Sequence, residues 1–153
     1  MAEEPLTVLV VEDNQGDIRL IEDGFEESHV EHTLTIVNDG EAALEHLCEW
    51  PPSESASRPD LVLLDLNVPK TNGIDVLERI DTATGVHPVP IVVLSGSAAE
   101  DHVVDTFRMG AHGYFVKPVD PHEFLSLIER IASSMVGDES LPRGEHSRIE
   151  PTD

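Results

Sequence analysis

The sequence predicts an α/β protein, a doubly wound sheet of five parallel strands covered by five helices. Three observations carry this reading. Short apolar runs alternate with amphipathic stretches along the chain. The runs are continuous rather than alternating, which marks strands buried on both faces and so a parallel sheet between helical layers. A chain of 153 residues, 39% of them apolar, can also bury one core without disulfides or a structural metal. In such folds the crossovers are right-handed, and ligands bind beyond the carboxyl ends of the strands.

The elements follow in order. Leu6 to Val11 (LTVLVV) is a β-branched run that stops at Glu12-Asp13-Asn14. Asn14 or Asp13 caps a helix over about residues 15–28, with Ile18, Ile21 and Phe25 at helical spacing. Leu34 to Val37 is a weaker strand broken by Asp39-Gly40, and Glu41 to Glu49 is a helix carrying Ala43, Leu44 and Leu47. Trp50 to Pro59 (WPPSESASRP) is a Pro/Ser-rich loop, and Leu61 to Leu64 (LVLL) is a buried strand leading into Asp65. Past the turn Thr71-Asn72-Gly73, a helix over about residues 74–83 lines up Ile74, Leu77 and Ile80. Val89 to Leu94 (VPIVVL) is the fourth strand and ends in Ser95-Gly96-Ser97. Glu100 to Met109 is helical with Gly110 as its C-cap, and Tyr114 to Val116 is a short fifth strand closed by Lys117-Pro118. Pro121 to Met135 is the last helix, turning Phe124, Leu125, Ile128 and Ile131 inward. One domain therefore spans residues 1–136, and residues 137–153, without periodicity, read as a disordered acidic tail too small for an output domain.

Thirty-one acids face nine bases, a net charge of −22, and only Lys70 and Lys117 are lysines. Such a surface repels nucleic acid and anionic lipid, so neither is an expected partner. The composition resembles that of proteins from salt-loving archaea, where molar salt screens the repulsion. The single cysteine, Cys48, excludes an internal disulfide framework and reads as a core or near-surface thiol. No apolar stretch approaches the ~20 residues that span a bilayer. The acidic opening Met1-Ala2-Glu3-Glu4 is not a signal peptide, which places the chain in the cytoplasm. His29 and His32 lie three apart without further ligands and read as surface residues.

The polar residues at the strand ends carry the functional argument. Glu12-Asp13 end the first strand, Asp65 the third, Ser95 the fourth and Lys117 the fifth. Each alone has a plain explanation: an acid caps a helix, a serine fills a turn, a Lys-Pro closes a loop. Together they bring three carboxylates, a hydroxyl and an ammonium to one edge of a parallel sheet. Clustered carboxylates need a compensating cation, and hard oxygen ligands suit Mg²⁺. A carboxylate beside Mg²⁺ and a lysine can attack phosphorus in line to give an aspartyl-phosphate. Ser95 can then hydrogen-bond a phosphoryl oxygen.

These motifs, VLVVEDN at 8–14, DLVLLDLNVPKTNG at 60–73, VVLSGS at 92–97 and GYFVKP at 113–118, resemble the receiver domains of two-component response regulators over about residues 5–136. The segments EDNQGDIRL, LDLNVPKTNG and KPVD look most like stand-alone regulators paired with phytochrome kinases. The resemblance implies a flavodoxin-like sheet in the order 2-1-3-4-5. It implies that Asp65 is the phospho-acceptor and that Glu12, Asp13, Asp65 and the backbone carbonyl of Asn67 hold Mg²⁺, Asp13 directly. Lys117 would bind phosphate, Ser95 would be the switch hydroxyl, and Tyr114 the aromatic that turns inward with it. Pro118 fits the family's cis peptide, which would aim the ammonium.

The implied partners are a sensor histidine kinase and a downstream protein or phosphotransfer partner. A homodimer could form through the face of the fourth helix, fifth strand and fifth helix. Such a chain signals, and its only expected activity is its own phosphorylation and dephosphorylation. Two other readings compete. A haloacid-dehalogenase-type phosphatase needs a second Asp two residues past its nucleophile, where this chain has Asn67. A receiver-like module that binds a partner without phosphorylation is the other, and the intact constellation argues against it.

Overall fold

The computed structural model describes residues 5–48, 59–66, 75–79, 89–96 and 110–136. Strands β1 (Leu6–Val11), β2 (His32–Val37), β3 (Leu61–Asp65), β4 (Ile91–Ser95) and β5 (Gly113–Val116) form one parallel sheet in the order β2-β1-β3-β4-β5. The helices are α1 (Gln15–Ser28), α2 (Gly40–Cys48), α3 (75–79) and the C-terminal α4 (Pro121–Val136). The helix expected at 100–109, the loop through residue 58, Asn67, the side chains of Leu47 and Cys48, and the tail at 137–153 lie outside the described residues.

All residues of β3 and β4 are buried, as their continuous apolar runs require. Strand alternation splits the core in two. Val8, Val10, Leu61, Leu63, Val92, Leu94 and Phe115 pack against Ile21 and Phe25 of α1 and Phe124, Ile128 and Ile131 of α4. On the opposite face Leu9, Val11, Val62, Leu64, Ile91, Val93 and Tyr114 meet Ala43 and Leu44 of α2 and Val76 and Leu77 of α3.

Helix α1 starts where Asn14, in extended conformation, accepts a hydrogen bond from the Asp17 amide at 2.9 Å. It ends at His29, whose φ of 63° is left-handed and whose amide donates back to the Glu26 carbonyl. Midway, a Cβ on Gly24 would lie 2.6 Å from Cβ of Ile128, so only glycine lets α1 approach α4 this closely. Gly110, expected as a C-cap, has φ 113°.

Two expectations are corrected. Leu125 is only half-buried and Leu127 takes the inward place, because 3.6-residue periodicity centres the stripe on Phe124, Leu127, Ile128 and Ile131. His32 is not a plain surface residue. Its Nδ1 donates to the Val30 carbonyl at 2.7 Å, its ring lies 5.4 Å from that of Phe25, and the residue is only partly exposed.

Candidate functional site

Three strands deliver polar side chains into a buried edge. Asp65 is the last residue of β3, Ser95 the last of β4, and Glu12 follows β1 directly; they are 5%, 1% and 1% exposed. The backbone fixes each one. The Glu12 amide donates to the Val37 carbonyl, and the Glu12 carbonyl accepts from Nδ2 of Asn38 at 3.0 Å. Lys117 extends the β4–β5 ladder by one rung, its amide donating to the Ser95 carbonyl at 2.7 Å. Alternation gives Glu12, Asp65 and Lys117 the parity of the face that α1 covers, and gives Ser95 the parity of Tyr114 on the other face.

The Lys117 ammonium is the hub. It donates to Glu12 Oε1 at 2.9 Å, to Asp65 Oδ2 at 3.0 Å and to Asp17 Oδ2 at 2.8 Å. An ammonium has three donors, so these bonds use them all. Asp17 was not among the residues singled out from the sequence. It reads there as an ordinary acid in the first turn of a helix, where negative charge is favourable anyway. The signal that could have found it is its place one turn past the Asn14 cap, which aims the first turn of α1 at the strand ends.

The electrostatics follow from this crowding. Burial pushes the Glu12 carboxyl up to about 7, a hydrogen bond shared with Asp65 adds to the rise, and the Lys117 ammonium pulls the other way. Burial alone would lower the Lys117 pKa, but the bonds to Asp17 and Glu12 hold it above the ordinary lysine value.

One ammonium does not balance this many carboxylates. Glu12, Asp13 and Asp65 can each turn an oxygen to within 4.8 Å of the others, the one such group of potential metal ligands among the described residues. Asp13 is exposed, so an ion there would keep water on its open side. An all-oxygen, partly hydrated, anionic site fits a hard divalent cation. The expected fourth ligand, the Asn67 carbonyl, lies outside the described residues.

With this geometry in view, the similarity to known proteins is decisive. A family model described as the response regulator receiver domain matches residues 8–129. The chain belongs to that family. It is 33% identical over 138 residues to the response regulator Rcp1 of Synechocystis, covering 90% of this chain and 94% of that one. It is 32% identical to a probable methanogenesis regulatory protein, FilR2, of Methanothrix harundinacea, covering 89% and 87%. Among solved structures, the phosphorylated cyanobacterial phytochrome response regulator RcpA matches at TM-score 0.80 and 34% identity, over 91% of this chain and 99% of that one. The Mn(2+)-bound form of Rcp1 matches at 0.78 and 33%, over 90% and 99%. The phosphatase reading is not favoured by any of this.

In this receiver, Tyr114 is fully buried among Leu64, Val93 and their neighbours on the α2 face. It pairs in register with Val93, two residues before Ser95 on the same side of β4. The expected cis peptide before Pro118 is corrected, since no cis bond occurs among the described residues. Trans is the lower-energy isomer even before proline, and three carboxylates already hold the ammonium in place.

Proposed function

We propose that Asp65 accepts a phosphoryl group from a histidine of a sensor kinase, in a Mg²⁺-dependent reaction, and that Ser95 and Tyr114 relay the change. The observation that carries this is the Lys117 ammonium bonded to Asp65 inside a cluster with Glu12 and Asp13. The Asp65 carboxylate attacks phosphorus in line, an O–P bond forms, the P–N bond to the kinase imidazole breaks, and the imidazole leaves with that electron pair. Lys117 offers a donor to the phosphoryl oxygens, while Glu12, Asp13, Asp65 and Asn67 would hold the ion. Bound Mg²⁺ supplies charge neutralisation at those oxygens. The Mn(2+)-bound and phosphorylated relatives support a divalent cation and a phosphoryl group at this site. The same constellation would catalyse self-phosphorylation from small donors and self-dephosphorylation.

Ser95 moves toward the phosphoryl group, and Tyr114, on the same face, repacks with it. The surface around β5 and the helices beside it then changes, which is where a downstream partner, a phosphotransfer protein or a second copy would bind. By its likeness to RcpA, the kinase is of the phytochrome-linked kind. The receiver domain occupies residues 1–136, followed by a short acidic stretch, and acts in the cytoplasm of a salt-accumulating cell.

Acid-stable, hydroxylamine-labile label from a small phosphodonor in molar KCl with Mg²⁺ tests the assignment. Asp65→Asn abolishes it, and EDTA abolishes it in the parent protein. Undiminished label on Asp65→Asn refutes the acceptor. The halophilic reading is tested separately by circular dichroism: structure is lost as KCl falls, and a thermal midpoint independent of KCl rejects it.

A further inference from the structure

We infer that Asp17 is a positioning residue that withholds Lys117 from the phosphoryl group, acting as a latch that must open for transfer. The inference rests on the proposed role of Lys117 as the phosphate-binding lysine. Nothing in the family resemblance gives position 17 a task; it enters through the geometry alone.

The argument starts from donor counting. All three ammonium protons of Lys117 go to carboxylates, at 2.8, 2.9 and 3.0 Å. A lysine has no fourth donor, so one of these bonds must break before a phosphoryl oxygen can be bound. The three carboxylates are unequal. Glu12 and Asp65 are 1% and 6% exposed in their side chains, and Asp17 is 24% exposed. Releasing Glu12 would strand a buried carboxylate, and releasing Asp65 before transfer would do the same to the nucleophile, whereas Asp17 can exchange the ammonium for water. Asp17 is therefore the bond that opens.

Its hold is nonetheless firm. The Asp17 amide donates to Oδ1 of the Asn14 cap at 2.9 Å, and the Ile18 amide donates to the Asn14 carbonyl, which fixes the turn that carries the carboxylate. That hold slows uptake of the phosphoryl group.

The test measures initial phosphorylation of the full chain by acetyl phosphate, with Mg²⁺ in molar KCl. Beryllofluoride affinity, followed by fluorine NMR, provides a second readout for variants that label too slowly. Asp17→Asn is expected to raise the uptake rate and the beryllofluoride affinity about tenfold, between the values typical of an exposed ion pair and of a buried charge-assisted bond. Asp17→Glu, which can keep the bond, stays within about twofold of the parent. Asp120→Asn removes the same charge three residues beyond Lys117 without touching the ammonium, and it also stays within about twofold.

In a Lys117→Ala background, Asp17→Asn should change beryllofluoride affinity by no more than about twofold. The inference is overturned if Asp17→Asn slows uptake or leaves it unmoved. It is equally overturned if Asp120→Asn matches its gain, or if the gain survives Lys117→Ala. Label at Asp65 in the parent combined with any of these outcomes sinks the latch and leaves the acceptor standing. A parent protein that takes up no label at Asp65 brings down both.

Discussion

The two faces of the sheet are built from the same strands and carry different burdens. The face under α1 and α4 holds Glu12, Asp65 and Lys117 at its edge, and a glycine brings its two helices into tight contact. The face under α2 and α3 holds the Ser95 side and a buried aromatic, Tyr114. The acidic cluster and the Ser95–Tyr114 side are thus separated by the thickness of one strand. A backbone bond from the Lys117 amide to the Ser95 carbonyl links the two. The comparison teaches that period-2 alternation assigns more than burial: it sorts the polar strand ends onto two faces.

Breaking the face proposed as the relay is expected to have the largest effect. Tyr114→Ala empties a fully buried aromatic site and should cost about 3–5 kcal/mol in chemical denaturation. Ser95→Ala removes only a hydroxyl from that face. It should leave phosphorylation of Asp65 measurable while weakening any beryllofluoride-dependent change in self-association or in amide exchange across β5. If both variants respond to the mimic as the parent does, the face carries no relay.

The next effect belongs to the acidic face and to pH. Glu12 holds its proton more tightly folded, near 7, than at its ordinary value of 4.5. The folded state therefore binds more protons than the unfolded state between those values, so this group's stability contribution falls as pH rises from about 4.5 through about 7 and is flat above. In EDTA, the difference in denaturation free energy between the parent and Glu12→Gln should trace that fall. A pH-independent difference would show that folding leaves the Glu12 carboxyl at its ordinary value.

Two smaller effects sharpen the packing side. Gly24→Ala forces a methyl against Ile128 and should cost about 1–3 kcal/mol despite the better helix propensity of alanine. Asn14→Ala removes the cap and should cost about 1 kcal/mol. Because Asp17 donates to that cap, the same variant should also loosen the Lys117 contact and move phosphorylation in the direction of Asp17→Asn.

Most of the fold was legible because strands buried on both faces write unbroken apolar runs, and β1 and α1 fall within the bounds their patterns imply. Asp65 and Ser95 close the third and fourth strands, where the polar residues after the apolar runs place them. Convergence of Glu12, Asp65 and Lys117 was readable from topology alone, because parallel strands put their carboxyl ends on one edge. Asp17 was not readable. Its role depends on the rotation of α1 about its axis, which side-chain periodicity fixes only for the apolar stripe. His32 was missed for a related reason: its ring contact is with Phe25 on another element.

The close approach of Gly24 to Ile128 has a further consequence, for how this chain can change over evolutionary time. The missing methyl at 24 and the branched side chain at 128 fill one shared volume, so neither position drifts freely. Relatives that acquire a side chain at the first position should carry a smaller residue at the second. Asp17 lies seven residues, about two helical turns, before Gly24, so a lineage that widened this contact would also carry its Asp17 carboxylate away from Lys117.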